Sequence, residues 1–231
     1  MCIRARNLSR EDLDQFALES HQKAAQATES QYFDREILPV EGKNAEGIND
    51  LVMADEGIRF DASLDKLAGL NPVTEGGKIT AGNASQITDG AAAVLICNDA
   101  GLKKIKSNPR AEIVSISVVG DDPVFMLTGP IPASHKALDI AKLSIEDMDI
   151  YEVNEAFAPV PLAWAEELKA DRSKLNVNGG AMALGHPLGA TGAKLMTTML
   201  HELERREGNY ALQAICEGGG TANATIIKRI T

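Results

Sequence analysis

Apolar and small residues recur at helical spacing near the N-terminus of the chain. Ser9 stands three residues before Asp12, which is the spacing of a capping box at the start of a helix. The positions that follow fall on one side of a 3.6-residue period. They are Leu13, Phe16, Ala17, Ser20, Ala24 and Ala27. The pattern predicts an amphipathic helix over residues 9–30.

The next part of the chain has a weaker pattern. Residues 41–82 are rich in Gly, Asp and Asn, which predicts loops and short elements lying over a scaffold like a lid. Small hydroxyl and amide side chains over residues 80–90 predict a turn. The run 89–97 then consists mostly of small and apolar residues. Its length and composition predict a strand buried in the centre of a sheet.

After Pro109 the periodicity alternates between that of strands and that of helices. The predicted strands are 111–119, 149–153, 174–178, 210–216 and 222–229, and the predicted helices are 132–142, 156–170 and 190–206. Such alternation predicts an α/β layered fold. The sequence contains no repeat of 20–50 residues and no low-complexity tract, which excludes a solenoid.

Composition and charge narrow the class of protein. The chain of 231 residues is 44% apolar, and its 33 acidic and 23 basic residues give a net charge of −10. This charge opposes binding to nucleic acid or to an anionic membrane. No window reaches the roughly 18 apolar residues of a membrane span, and no signal peptide is recognisable, so a soluble cytoplasmic protein is expected. The cysteines, Cys2, Cys97 and Cys216, are too few and too scattered to predict a disulfide framework or a metal site.

His186 is a candidate catalytic residue because of its place between two predicted elements. The predicted strand 174–178 runs into two glycines, and the next long helix opens only after Ala190. His186 is therefore on a connection at a strand end, where open α/β sheets bind ligands. A histidine there suits a general base or an oxyanion donor, or it ties down a glycine-rich turn.

Cys216 is a second candidate, at the end of the predicted strand 210–216. Three glycines follow Glu217, and they allow backbone N–H groups to approach a ligand without a Cβ in the way. Such donors are what an oxyanion hole needs. The alternative is that Cys216 is a small buried hydrophobic residue.

Asn154 stands where a predicted strand meets the next helix, in an N-cap position. Its amide caps that helix, contributes to a site, or does both. Glu155 and Ala156 are then expected in the first helical turn. Pro159 and Pro161 lie deeper, where proline costs about 3 kcal/mol, so the helix is expected to start late or to be kinked.

Three motifs together resemble the C-terminal half of a thiolase, the family that joins or cleaves 3-ketoacyl chains carried on coenzyme A. They are Asn-Glu-Ala-Phe-Ala at 154–158, a segment at 178–192 that contains Gly-His-Pro, and Cys-Glu-Gly-Gly-Gly at 216–220. The resemblance implies a thiolase-like layered α/β/α fold and an acyl-CoA acyltransferase of fatty acid and lipid metabolism. It also implies coenzyme A and acyl-CoA as substrates, with no permanently bound cofactor.

The resemblance assigns catalytic roles to four residues. His186 would deprotonate the nucleophile and, with a water held by Asn154, form a first oxyanion hole. Cys216 would carry a proton to or from coenzyme A or the substrate α-carbon. The backbone N–H of Gly218 would serve a second oxyanion hole.

Two further residues correspond to coenzyme A contacts of the family. Ser85 would contact the pantetheine arm, and Arg59 the nucleotide end. The sequence departs from the common thiolase pattern at Glu217 and at residues 221–223. These departures resemble thiolases that act on bulky acyl chains such as sterol side chains.

The resemblance also predicts a division of the chain. Residues 1–85 are expected to be the remainder of the family's loop domain, 86–109 the last strand of the N-terminal half with a linker, and 110–231 the C-terminal domain. The N-terminal half that carries the nucleophilic cysteine is expected to be absent, and neither Cys2 nor Cys97 lies in a matching segment.

The resulting hypothesis is a thiolase that catalyses thiolytic cleavage or Claisen condensation of 3-ketoacyl-CoA. The chain is expected to be truncated or split, inactive until another chain supplies the N-terminal half, and oligomeric when intact. One alternative is a non-catalytic acyl-CoA-binding or assembly subunit of a thiolase-like or lipid-transfer complex. Another is a decayed fragment without function.

Overall fold

The N-terminal helix begins where the capping pattern predicts it. In the computed structural model, which describes residues 7–43 and 46–230, α1 spans Arg10–Glu29. Ser9 Oγ accepts from the Asp12 N–H at 3.0 Å, and Asp12 Oδ2 accepts from the Ser9 N–H at 2.7 Å. Its apolar face is buried, so the predicted amphipathic helix is confirmed. Cys2 lies outside the described residues.

The loop-rich region contains short elements, as its composition predicts. The strands β1 (Val40–Lys43) and β2 (Asn49–Val52) form an antiparallel pair, and α2 spans Leu64–Ala68. Most residues of this region are exposed, and α2 packs on α1.

The rest of the chain forms a four-stranded mixed sheet with helices. In chain order the elements are α3 (Asp99–Ile105), β3 (Ala111–Gly120), α4 (Pro130–Ala141), β4 (Ile150–Val153), α5 (Pro159–Leu168), α6 (Ala181–Leu184), α7 (Thr191–Arg206), β5 (Tyr210–Cys216) and β6 (Thr221–Arg229). The strand order is β3-β6-β5-β4. In this sheet β4 and β5 are parallel, and the other two neighbouring pairs are antiparallel. None of the helices within 7–43 and 46–230 is long and apolar enough to cross a membrane.

Helices cover the two faces of the sheet, which confirms the predicted α/β layered fold. On one face, Tyr151 of β4 contacts Trp164 of α5 with ring centroids 5.3 Å apart. On the other face, Ile150 packs with Met199 and Leu203 of α7. Successive residues of β4 thus point to opposite layers, as strand geometry requires.

The predicted buried strand over residues 89–97 is wrong. This segment has no regular secondary structure and pairs with none of the described strands, and Leu95 and Ile96 are 76% and 64% exposed. Cys97 is exposed as well. An apolar run indicates a preference for burial, but a strand also needs neighbours for its backbone hydrogen bonds.

Two further predictions needed correction. Residues 174–178 do not form a strand: a 3₁₀ turn ends at Lys174, and Leu175 makes a single parallel bridge to Tyr151. The helix predicted over 156–170 starts late, at Pro159, as the two prolines indicated. The remaining predicted strands and helices after Pro109 are confirmed to within two residues at each end.

Candidate functional site

His186 lies on the connection between α6 and α7, held by a neighbouring extended segment. Its backbone N–H donates to Gln86 O at 3.1 Å. Gly185 before it has φ +82°, and a Cβ there would meet Thr88 Oγ1 at 2.5 Å. This turn therefore requires glycine to bring His186 to the sheet edge.

The hydrogen bonds of the imidazole define its tautomer. Thr191 Oγ1 donates its one proton to Pro187 O at 3.1 Å and lies 2.6 Å from His186 Nδ1. We infer that Nδ1 carries the shared hydrogen and that Nε2 keeps its lone pair, an arrangement that also lets Nε2 accept from Asn154 Nδ2 at 3.5 Å. Burial, and to a lesser extent the charge of Lys194, lower the pKa of His186 below its ordinary range. The ring is thus a neutral base at neutral pH.

Asn154 faces the free nitrogen of His186. Its Nδ2 lies 3.5 Å from His186 Nε2, and its backbone N–H donates to Ala214 O at 3.0 Å. Its side chain is buried, and Oδ1 has no hydrogen-bond partner among the described residues. A buried acceptor of this kind calls for a donor such as a water molecule.

The predicted N-cap role of Asn154 is wrong. The residue before α5 is Ala158, so Asn154, Glu155 and Ala156 lie in the loop between β4 and the helix. The late start of α5 at Pro159 leaves the Asn154 amide free for the site rather than for capping.

Glu155 ties this loop to distant parts of the chain. Its Oε1 accepts from Asn176 Nδ2 at 2.8 Å, and its Oε2 accepts from Ser20 Oγ at 2.7 Å and from the Met182 N–H at 3.1 Å. Ser20 in turn accepts from the Gly180 N–H at 3.0 Å. A single buried carboxylate therefore joins α1, the Asn154 loop and the helix that precedes His186.

The extended segment 83–86 joins the same two loops. Ser85 N–H donates to Ala156 O at 3.0 Å, and Ala158 N–H donates to Asn83 O at 3.0 Å. Gln86 Nε2 donates to Met182 O at 2.7 Å. Residues 83–86, within the turn predicted over 80–90, thus join the loop that contains Asn154 to the segment that precedes His186. This segment is called the brace below.

Cys216 occupies the other part of the site, at the end of β5. It is 8% exposed and pairs with Ala222 across the β5–β6 hairpin. Gly219 and Gly220 have φ of +75° and +84°, and a Cβ at Gly220 would meet Asp121 O at 2.7 Å. A Cβ at Gly218 would meet nothing within 4 Å, so the backbone there is open.

The residues that depart from the thiolase pattern contact one another beside Cys216. Glu217 Oε1 accepts from Asn223 Nδ2 at 2.6 Å, and Oε2 accepts from Thr221 Oγ1 at 3.1 Å. The carboxylate thus spans the glycine turn and joins its two ends.

The sheet brings the two parts of the site to one edge. Val153 is the partner of Ala214 in the parallel β4–β5 pair, so Asn154 and Cys216 follow neighbouring strands at their carboxyl ends. This is the edge at which open α/β sheets bind ligands. His186 contacts this edge of the sheet through Asn154.

The two predicted coenzyme A contacts lie on the segments around this edge. Ser85 is half-buried within the brace. Arg59 has an exposed side chain, and its backbone N–H donates to His21 Nδ1 at 3.1 Å. The sequence reasoning missed Ser20, Gln86 and Thr191, because each acts through a contact between segments distant in the fold. For Thr191, the sequence gave one indication, which is that the residue belongs to the same motif as His186.

Comparison with known proteins identifies the family. Residues 107–229 match the family model described as Thiolase, C-terminal domain, and residues 1–100 match Thiolase, N-terminal domain. The chain is 55% identical over 224 residues to the steroid 3-ketoacyl-CoA thiolase FadA6 of Mycobacterium tuberculosis, covering 97% of this chain and 54% of the relative. It is 46% identical over 235 residues to the mitochondrial 3-ketoacyl-CoA thiolase of Bos taurus, covering 99% and 59%.

Solved structures agree. The crystal structure of human mitochondrial 3-ketoacyl-CoA thiolase matches with a TM-score of 0.95 and 44% identity, over 100% of this chain and 58% of that chain. The human enzyme in complex with CoA matches with a TM-score of 0.91 and 43% identity, over 99% and 57%.

The matches correct one expectation. The chain spans a little over half the length of these relatives. The expected absence of the N-terminal half is not supported, since residues 1–100 match the N-terminal domain. The match to the C-terminal domain covers more than half of the sequence, and the chain belongs to the thiolase family.

Proposed function

We propose that this chain takes part in acyl transfer between 3-ketoacyl-CoA and coenzyme A, in lipid metabolism. The observation that carries the proposal is the arrangement of His186, whose neutral Nε2 faces the buried Asn154 amide at the edge where β5 ends in Cys216. A base, an amide with an open oxygen and a thiol at one strand edge are suited to acyl transfer.

The proposed roles follow from these positions. His186 Nε2 takes the proton of a nucleophilic thiol, which attacks the 3-keto carbon while the bond between C2 and C3 breaks. The released C2 takes a proton from Cys216. A water on Asn154 Oδ1 and the open N–H of Gly218 donate to the two oxyanions that develop. The thiol of coenzyme A gives its proton to the Cys216 thiolate and attacks the acyl group. The bond from the acyl group to the nucleophilic sulfur then breaks, and that sulfur regains the proton held on His186.

The reaction also requires the attacking thiol, whose source has to be identified. Cys97 lines a groove beside the middle of α7, together with Thr197 and His201, whereas His186 lies before the first turn of that helix. We therefore propose that the nucleophilic cysteine belongs to a thiolase segment outside residues 7–43 and 46–230. Ser85 and Arg59 would contact the pantetheine arm and the nucleotide of coenzyme A, with residues 1–85 acting as the loop domain.

The test is purification from the native host followed by intact mass measurement after exposure to acetyl-CoA. The proposal predicts that a cysteine outside residues 7–43 and 46–230 gains one acetyl group, and that His186→Ala lowers the rate of thiolysis by about 10²- to 10⁴-fold. Acetylation of Cys97 would contradict the proposed source of the nucleophile. Full thiolysis by the His186→Ala variant would contradict the role of the base.

A further inference from the structure

Buried oxygens without partners lie beneath the candidate site. Among the described residues, Glu152 Oε1, Asn154 Oδ1 and Gln213 Oε1 are buried and accept no hydrogen bond. Buried acceptors are rarely left unpaired, so each calls for a donor that the surrounding protein groups do not supply. Asn154 belongs to the site described above, whereas Glu152 and Gln213 belong to the strands β4 and β5 of the sheet.

Glu152 and Gln213 lie side by side. They are partners in the parallel β4–β5 ladder, so their Cα atoms are about 4.8 Å apart and their side chains share one face. That face is the one covered by α7, since Ile150, two residues before Glu152, packs against Met199. A Cβ at Gly192, in the first turn of α7, would meet Gln213 Nε2 at 3.9 Å.

One proton shared between the side chains of these two ladder partners would satisfy both unpaired oxygens. A carboxylic acid has an O–H donor that a carboxylate lacks, and the amide oxygen of glutamine is an acceptor. Protonation of Glu152 would therefore satisfy both unpaired oxygens at once. The surroundings favour this form: burial first, and then the charges of Glu155, Glu36 and Glu202, raise the pKa of Glu152 well above its ordinary range, against the opposing charge of Lys194.

Glu155 provides the contrast, three residues away and equally buried. All three of its partners, Asn176 Nδ2, Ser20 Oγ and the Met182 N–H, donate to it. Burial raises the pKa of Glu155 above its ordinary range, and these donors, which stabilise the ionised form, act against that rise. The two glutamates thus have similar burial and opposite partner chemistry.

We propose that Glu152 is a neutral carboxylic acid that donates a hydrogen bond to Gln213 Oε1 and serves as a positioning residue for the end of β4. The hydrogen bond links the strands that carry Asn154 and Cys216. It also leaves no negative charge behind Asn154, where the proposed oxyanion develops; this last point alone rests on the proposed function.

Infrared difference spectroscopy of the full chain at pH 7 tests the proposal. The Glu152→Gln variant is expected to lose one carbonyl band of a protonated carboxylic acid, while the matched control Glu217→Gln, at an exposed position, loses none. The amide introduced by Glu152→Gln can still donate to Gln213, so the unfolding midpoint should stay unchanged. An unchanged protonated-acid region in Glu152→Gln would overturn the proposal.

A second variant keeps Glu152 in place should Glu152→Gln fail to fold. Gln213→Leu removes the acceptor, and the same carbonyl band is then expected to move to the higher frequency of an acid without a hydrogen bond. A band that does not move overturns the bond to Gln213. The spectrum does not depend on turnover, so loss of the expected acyl transfer in every preparation would reject the proposed function and leave this inference standing.

Discussion

The two parts of the candidate site are built in different ways. Around the half-buried His186, the site is held by contacts between segments far apart in the sequence, such as the buried Ser20 to Glu155 bond and the His186 to Gln86 bond. The Cys216 side is a hairpin whose bracing contacts, from Glu217 to residues 221–223, are local and exposed. The difference indicates that the base is positioned by the whole fold and the glycine turn by its own residues.

The largest expected effect is on stability when the buried carboxylate is removed. Glu155→Ala leaves the Met182 N–H and the Ser20 hydroxyl without their acceptor, and it should lower the free energy of unfolding by about 3 kcal/mol. The matched change on the other side, Glu217→Ala, removes exposed bonds and should cost less than about 0.5 kcal/mol. Denaturant unfolding of both variants measures the difference. Equal losses would mean that the two sides are built alike.

A pair of glycine substitutions sharpens the comparison. A Cβ at Gly180 would lie 2.6 Å from Glu155 Oε2, a group fixed by three hydrogen bonds, so Gly180→Ala should cost about 2 kcal/mol. A Cβ at Gly218 meets nothing within 4 Å, and Gly218→Ala should change stability by less than about 0.5 kcal/mol. Thermal unfolding of the two variants tests this order. A Gly218→Ala variant less stable than Gly180→Ala would contradict it.

A smaller effect is expected on the pH dependence of stability. Burial, and then the charge of Lys194, hold the pKa of His186 below the ordinary value of 6.5. The unfolded chain therefore binds the proton first, and the contribution to stability present above pH 6.5 is lost as the pH falls through the folded pKa. His186→Gln should flatten unfolding free energy against pH in that window. Lys194→Met should flatten it less, and a slope unchanged in both variants would refute the lowered pKa.

The sequence predicts best where the contacts are local. The helix α1, with its cap at Ser9, and most of the strands and helices after Pro109 follow from periodicity, and the motifs single out His186 and Cys216. The strand predicted over 89–97 is wrong because no described strand lies beside it to complete its hydrogen bonds. Ser20, Gln86 and Glu152 gave no signal, since their importance comes from partners far away in the sequence.

The most direct test of the central claim is to determine by ¹⁵N NMR at pH 7 which nitrogen atoms of the His186 ring carry a proton. The account holds that the fold presents a neutral base with its lone pair towards Asn154, so it predicts a proton on Nδ1, bonded to Thr191, and none on Nε2. A doubly protonated ring, or a proton on Nε2 alone, would contradict the account, because neither form leaves a base at the edge of the sheet.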